Sequence, residues 1–222
     1  MLDLAYCSNS RHSPLVTAAE IHQLSPGLWI WQQYDPAVKV NLFSSAIRTT
    51  AGIYVIDPIP LSEDQLRLLT GCDQIVGIIA TNANHHRSAL AYADRFLVPI
   101  FADPKAFPES KPRRLTALSG DLKIGGDLEV IEIQGAVAGE IVLYQESNGG
   151  TLVVGDVLIN FESYGLAFLP RKYCDNEKRM RRSLPQLLSR PAERIFFAHG
   201  MPILSGATAR LQQLLEADAQ TK

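Results

Sequence analysis

The sequence predicts an α/β protein in which two mixed β/α halves stack sheet on sheet, with helices on the outside. Three observations lead there. In the first half, short apolar runs alternate with helical segments, as crossover connections between parallel strands require. In the second half, the runs come in pairs turned at glycines, which is an antiparallel signal. Polar residues then close several of these runs: Asp57, the segment from Thr81 to Arg87, Asp156 and His199. Strand ends converge on one rim of such a scaffold, so residues placed there are positioned to share a site.

The elements follow in order. Residues 1 to about 20 carry Ser8, Asn9, Ser10, Ser13 and Pro14, which oppose regular structure and predict a loosely ordered lead-in. Runs 28–31 and 41–47 read as strands, with Trp29 and Trp31 as packing residues, and 53–56 is a strand closed by Asp57-Pro58. Ser62 followed by Glu63 and Asp64 starts a helix with acids at its positive end, and Gly71 ends it. Strand 74–80 comes next, then a short helix from Ser88 to Phe96 and a strand over 98–101.

Residues 122–133 form a hairpin around Gly125-Gly126, and 140–154 a second one around Asn148-Gly149-Gly150. Residues 177–188 are helical, with Pro185 inside or bounding the helix. A last strand spans 194–198, and 206–217 is a closing amphipathic helix through Leu211, Leu214 and Leu215. No linker or low-complexity tract divides the halves, which predicts one domain over 21–222.

Composition narrows the function classes. Of 222 residues, 46% are hydrophobic and 20% charged, which describes a globular protein with ample core material. The formal charge of −2 argues against a dedicated nucleic-acid binder. Cys7, Cys72 and Cys174 are odd in number and far apart, which suits free thiols in a reducing cytoplasm better than a disulfide framework. The N-terminus carries Asp3 where a signal peptide needs bases, and no run approaches the ~20 apolar residues of a membrane span. The expectation is a cytoplasmic protein. The basic run Lys178, Arg179, Arg181 and Arg182 reads as a solvated helix face paired with nearby acids.

Five short motifs, in order, resemble the metallo-β-lactamase superfamily of metal-dependent hydrolases. Residues 53–57 resemble its strand ending in I-D, and T-N-A-N-H-H-R from Thr81 occupies the place of its T-H-x-H-x-D-H signature. Residues 134–143 resemble its G-H-T-P-G-S-x-x-L segment, 152–156 its strand ending in G-D, and 196–200 its last strand ending in G-H-G. The resemblance runs from about Trp29 to the final helix. It implies a four-layer αββα sandwich and a hydrolase ancestry with an ester, thioester or phosphoester as substrate.

The same resemblance implies a degenerate metal centre. Asn82 and Asn84 stand at the first two histidines, His86 at the aspartate, Arg87 at a further histidine, and Ala136 at the histidine of the middle motif. Amides are feeble ligands for zinc, so a binuclear centre is not expected. His86, Asp156 and His199 would still make two imidazoles and a carboxylate, enough for one zinc, iron or manganese with open positions. A one-residue shift of register exchanges His85 and His86.

Arg87 offers the opposite outcome, since a guanidinium beside Asp156 would satisfy that carboxylate with no metal. Asp57 corresponds to an aspartate that braces the loops under the site. His85 or His86 reads as a ligand or a general base, and equally as a histidine bonded to loop backbone. Asn82 and Asn84 read as substrate-binding or as helix-capping residues. Arg171 and Lys172 read as receivers of an anionic small molecule or as surface charge.

Two classes of function therefore stand: a hydrolase with at most one metal, using His85 or His86, Arg87, Asp156 and His199, and a non-catalytic anion-binding or assembly protein on the same scaffold. An exposed sheet edge or apolar helix face would support a homodimer.

Overall fold

A computed structural model of the chain describes residues 20–120 and 122–220. The predicted lead-in and Cys7 lie outside the described residues, and Glu20 already belongs to a strand. The first sheet contains β1 (Glu20–Ser25), β2 (Leu28–Asp35), β3 (Val40–Thr49), β4 (Gly52–Ile56), β5 (Ile75–Ile79), β6 (Ile100–Ala102) and β7 (Leu115–Ala117), hydrogen-bonded in that order. β1 to β4 form an antiparallel meander, and β4 to β7 are parallel. The parallel stretch exists because α1 (Glu63–Thr70) and α2 (Ala89–Phe96) serve as crossovers between β4, β5 and β6.

The second sheet contains β8 (Leu122–Ile124), β9 (Leu128–Glu132), β10 (Ile141–Gln145) and β11 (Thr151–Val154). A two-stranded ribbon follows, of β12 (Leu158–Phe161) and β13 (Gly165–Phe168), before α3 (Glu177–Ser183), β14 (Arg194–Phe197) and α4 (Ala207–Gln220). β14 returns to lie parallel to β11 at the edge of the second sheet. β1, β7 and the ribbon were not legible in the sequence: β1 alternates weakly, β7 is three residues long, and the ribbon falls in a segment that read as a loop.

Strand periodicity makes the four layers. Ile53, Val55, Ile75, Ile78, Trp29 and Trp31 face Leu66 and Leu69 of α1 and Ala89, Tyr92 and Ala93 of α2. Val142, Tyr144, Leu152, Val154, Ile195 and Phe197 face Met180 of α3 and Ala207 and Leu211 of α4. Between the sheets, Leu28, Ile47, Tyr54, Ile56 and Ile79 meet Leu128, Val130, Ile141, Leu143, Val153 and Phe196. Residues one position apart on β4, β10 and β11 thus serve different layers, as a period of two demands.

The predicted start and end of α1 are present, at Ser62 and Gly71. Ser62 and Gln65 form a reciprocal capping box at α1, with Glu63 and Asp64 in its first turn. Pro185 opens a 3-10 turn, Leu184–Ser189, directly after α3, where the missing N–H costs least. Of the basic run, Arg181 pairs with Glu177 at 2.9 Å and with Asp218. Arg179 donates to Gln134 at 2.9 Å. No helix among the described residues is long and apolar enough to cross a membrane.

Candidate metal centre

The polar strand ends do meet at one rim. β4 ends at Asp57, β5 leads into Thr81, β11 into Asp156 and β14 into His199. An isolated bridge between Leu42 and His199 closes the two sheets on each other there. Gly200 has φ +93, and a Cβ at that position would lie 2.1 Å from the Asn160 carbonyl oxygen, so only glycine lets the chain turn directly behind His199. The resulting cavity, about 40 Å³, has Val38, Leu42, Leu169 and Tyr173 as its apolar wall, with Asn84, His85, Arg87, Asp156 and His199 facing them. That volume takes an ion and one or two waters.

Three ligand atoms form a nearly equilateral triangle. His85 Nε2 lies 3.2 Å from His199 Nε2 and 3.3 Å from Asp156 Oδ1, and His199 Nε2 lies 3.4 Å from the same oxygen. Two nitrogens and one oxygen on three corners of a tetrahedron around zinc would stand about 3.3 Å apart, given metal–ligand bonds near 2.0–2.1 Å. Among the described residues this is the one group of three such side chains close enough to hold a metal ion.

The first ligand is held from behind. Asp57 Oδ1 accepts from Thr81 N at 2.8 Å, and its Oδ2 accepts from Thr81 Oγ1 at 2.7 Å. A hydroxyl has one proton, so Thr81 Oγ1, 3.0 Å from His85 Nδ1, must act as acceptor there. Asp57 Oδ2, 3.3 Å away, is also an acceptor. Nδ1 of His85 therefore carries the proton, which leaves the Nε2 lone pair of the neutral ring for a metal. His199 lacks such a brace, since its buried Nδ1 finds no partner among the described residues.

Charge follows from the same contacts. Burial disfavours the imidazolium of His85, but Asp156 and then Asp57 outweigh it and raise its pKa to about 9. Burial would raise Asp156, yet His85 and His199 hold it well below the usual carboxylate range. Burial lowers His199, against the pull of Asp156. Without a metal, one proton between the two Nε2 atoms, on either ring, keeps two imidazole lone pairs from facing each other at 3.2 Å.

Several sequence expectations need correction. The histidine beside Asp156 and His199 is His85; His86 instead stacks on Phe107, with ring centroids 5.5 Å apart, and burial lowers its pKa. The TNANHHR loop turns at this point, and the His86 carbonyl accepts from Ala89 N at 2.6 Å to begin α2. Arg87 does not supply the counter-charge for Asp156. Its fork lies on backbone carbonyls, with Nη1 donating to Phe43 O at 2.5 Å and Asp57 O at 3.0 Å, and Nη2 reaching Ala198 O at 3.5 Å. Arg87, at φ +34, thus staples β3, the segment after β4 and the segment after β14 while lining the same cavity as His85, Asp156 and His199.

Arg171 and Lys172 are not in the cavity wall: the exposed Arg171 faces Glu177 at 3.9 Å, and Lys172 Nζ sits 4.6 Å from the ring centre of Tyr173. Tyr173 is the residue of that segment that reaches the cavity.

Asn82 and Asn84 cap no helix; α2 begins without a side-chain cap. Both amides bind Asp156 Oδ2, Asn82 Nδ2 at 3.2 Å and Asn84 Nδ2 at 3.0 Å. Asp57 has the bracing place expected for it. Two residues were missed. Thr81 was read as part of a motif without a role. Glu140 is 1% exposed; burial, then the Asp156 charge, raise its pKa, and His85 and the hydrogen bonds from Val157 N and Asn82 Nδ2 oppose the rise. Its signal was an acid opening the fully apolar strand Ile141-Val142-Leu143.

The staple makes a stability prediction. Arg87→Ala is expected to destabilise the protein by about 2–4 kcal/mol, because three backbone carbonyls lose a charged donor. Arg87→Lys should recover little of this, since one ammonium lacks the spread of the fork. Urea denaturation of the three proteins checks both statements.

A family model described as the metallo-beta-lactamase superfamily matches residues 21–217. The chain belongs to the metallo-β-lactamase superfamily. Solved structures agree on the fold. A metallo-β-lactamase from Pontibacter korlensis is 20% identical with a TM-score of 0.63, covering 87% of this chain and 98% of that one. A β-lactamase domain protein from Burkholderia ambifaria is 17% identical with a TM-score of 0.68, covering 92% and 78%. TTHA1623, in a di-iron-bound form, is 21% identical with a TM-score of 0.60, covering 81% and 97%. No curated protein sequence matches the chain. Within this metallo-β-lactamase fold, the donor set on the rim is compatible with no metal or with one.

Proposed function

We propose that the protein is a hydrolase that works with one divalent metal, acting on a small molecule that carries an ester, thioester or phosphoester. The observation that carries this reading is the His85–Asp156–His199 triangle, whose edges of 3.2, 3.3 and 3.4 Å match one tetrahedral ion. His85 Nε2, Asp156 Oδ1 and His199 Nε2 would hold it, and two imidazoles with a carboxylate suit zinc, iron or manganese. When bound, such an ion polarises an acyl or phosphoryl oxygen and makes water a nucleophile near neutral pH.

The chain's own residues do the rest. Asp57 and Thr81 keep the His85 proton on Nδ1 and the ring in place. Asn82 and Asn84 hold Oδ2 of Asp156, so that Oδ1 faces the trio. The wall of Val38, Leu42, Leu169 and Tyr173 limits water around the reacting group. Because the cavity is about 40 Å³, it admits the reactive head of a substrate and leaves the body outside.

Protein purified without chelator or histidine tag should carry, or take up, one equivalent of zinc, iron or manganese. It should then hydrolyse at least one member of a panel of nitrophenyl esters, acyl thioesters and phosphodiesters, with activity lost to chelator and restored by metal. Two tight equivalents, or no uptake of any of the three metals, would overturn the reading; the second result would leave the scaffold as a non-catalytic binder.

A further inference from the structure

Glu140 lies outside the ligand trio and yet is among the most deeply buried acids of the chain. Both of its oxygens accept hydrogen bonds: Oε1 from Val157 N at 3.0 Å and Oε2 from Asn82 Nδ2 at 2.6 Å. The second hydrogen of Asn82 Nδ2 points to Asp156 Oδ2 at 3.2 Å, and Asn82 Oδ1 accepts from Asn84 N at 2.8 Å. A flipped Asn82 amide would set an oxygen against two carboxylates and an NH2 against a backbone N–H, so its orientation is determined on all three sides.

We propose that Glu140 is a positioning residue for the metal centre: it locks the Asn82 amide, which fastens Asp156 Oδ2 and thereby presents Oδ1 to the ion. The proposal rests on the one-metal reading above and adds a residue to it. Asn84 donates to the same Oδ2 at 3.0 Å, and its own backbone N–H is bonded to Asn82. Asn82 therefore orders both amides, and Glu140 orders Asn82. Packing enforces the arrangement, since a Cβ on Gly155 would lie 2.8 Å from Glu140 Oε1, 2.8 Å from Asn82 Nδ2 and 2.7 Å from Thr81 Oγ1. Glutamine cannot replace Glu140 here. It has the shape, but its NH2 must confront either Val157 N–H or Asn82 NH2, both of which are donors.

The test uses cobalt(II) as probe on wild type, Glu140→Gln, Asn82→Ala and the double variant. Wild type should bind one equivalent. Glu140→Gln should bind the same stoichiometry about 10–100-fold more weakly, the loss typical of an outer-shell partner, with a shifted d–d absorption band. The double variant should lose no more than Asn82→Ala alone, because Glu140 acts through Asn82. Should Glu140→Gln not fold, Asn82→Ala carries the comparison of affinity and spectrum.

Affinity and spectrum unchanged in Glu140→Gln, with only a lower melting temperature, would overturn the proposal, and so would additive losses. If wild type binds no cobalt, the one-metal reading falls, and the lock is read in the metal-free protein. By 15N NMR the two side-chain amide protons of Asn82 should exchange slowly in wild type and much faster in Glu140→Gln. Equal exchange would overturn the positioning role.

Discussion

His85→Ala is expected to abolish tight metal uptake and, in the metal-free protein, to cost about 3–5 kcal/mol of stability. Both effects have one origin. His85 stands between two buried carboxylates, 3.3 Å from Asp57 Oδ2 and 3.3 Å from Asp156 Oδ1, and its proton is the positive charge between them. Alanine leaves those carboxylates without it and removes one of three ligand atoms. The loss of affinity should therefore exceed the ~100-fold typical of an outer-shell partner. His86→Ala is the matched control: its ring rests on Phe107, so it should bind metal as wild type does and lose at most the packing of a half-buried ring. Calorimetric titration with zinc and differential scanning calorimetry separate the two variants. Loss of binding in His86→Ala with retention in His85→Ala would reverse the assignment of the ligand.

Metal affinity should climb steeply with pH up to about 9. In the metal-free protein the pKa of His85 is raised from 6.5 to about 9, so near neutrality the ion must displace one proton from its ring. One-proton linkage makes this about tenfold in affinity per pH unit well below the pKa, or roughly fiftyfold between pH 7 and 9. Stability of the metal-free protein should move the other way. A group whose folded pKa is raised contributes its full stabilisation below the unfolded value, 6.5, and loses it as pH rises through the folded value near 9. The melting temperature of metal-free protein should thus fall across pH 6.5 to 9, while that of the metal-loaded protein should not show this fall. Titrations in buffers of different ionisation enthalpy count the released proton directly. A flat affinity over this window would mean that His85 is already neutral and that the charge balance drawn here is wrong.

The sequence by itself determined the layers and most of the rim. Runs 28–31, 53–56 and 141–144 are apolar at every position, as strands covered on both faces require, and a strand's period of two then sends neighbouring residues to opposite layers. Ser62 with Glu63 and Asp64, Gly125-Gly126 and Asn148-Gly149-Gly150 are local chemistry, and local chemistry is legible without partners. The convergence of Asp57, Asp156 and His199 followed from their places at strand ends.

What only the tertiary structure decided was where the loop side chains point. His85 and His86 are adjacent, yet one meets Asp156 and His199 and the other stacks on Phe107. Arg87 went to the carbonyls of Phe43, Asp57 and Ala198, three backbone acceptors that the closing rim brings within reach of one planar fork. The role of Glu140 rests on Asn82 and Val157, 58 and 17 residues away, a juxtaposition that no spacing along the chain encodes. Side-chain direction in an irregular loop is set by what packs around it, and those neighbours come from strands far apart in the chain.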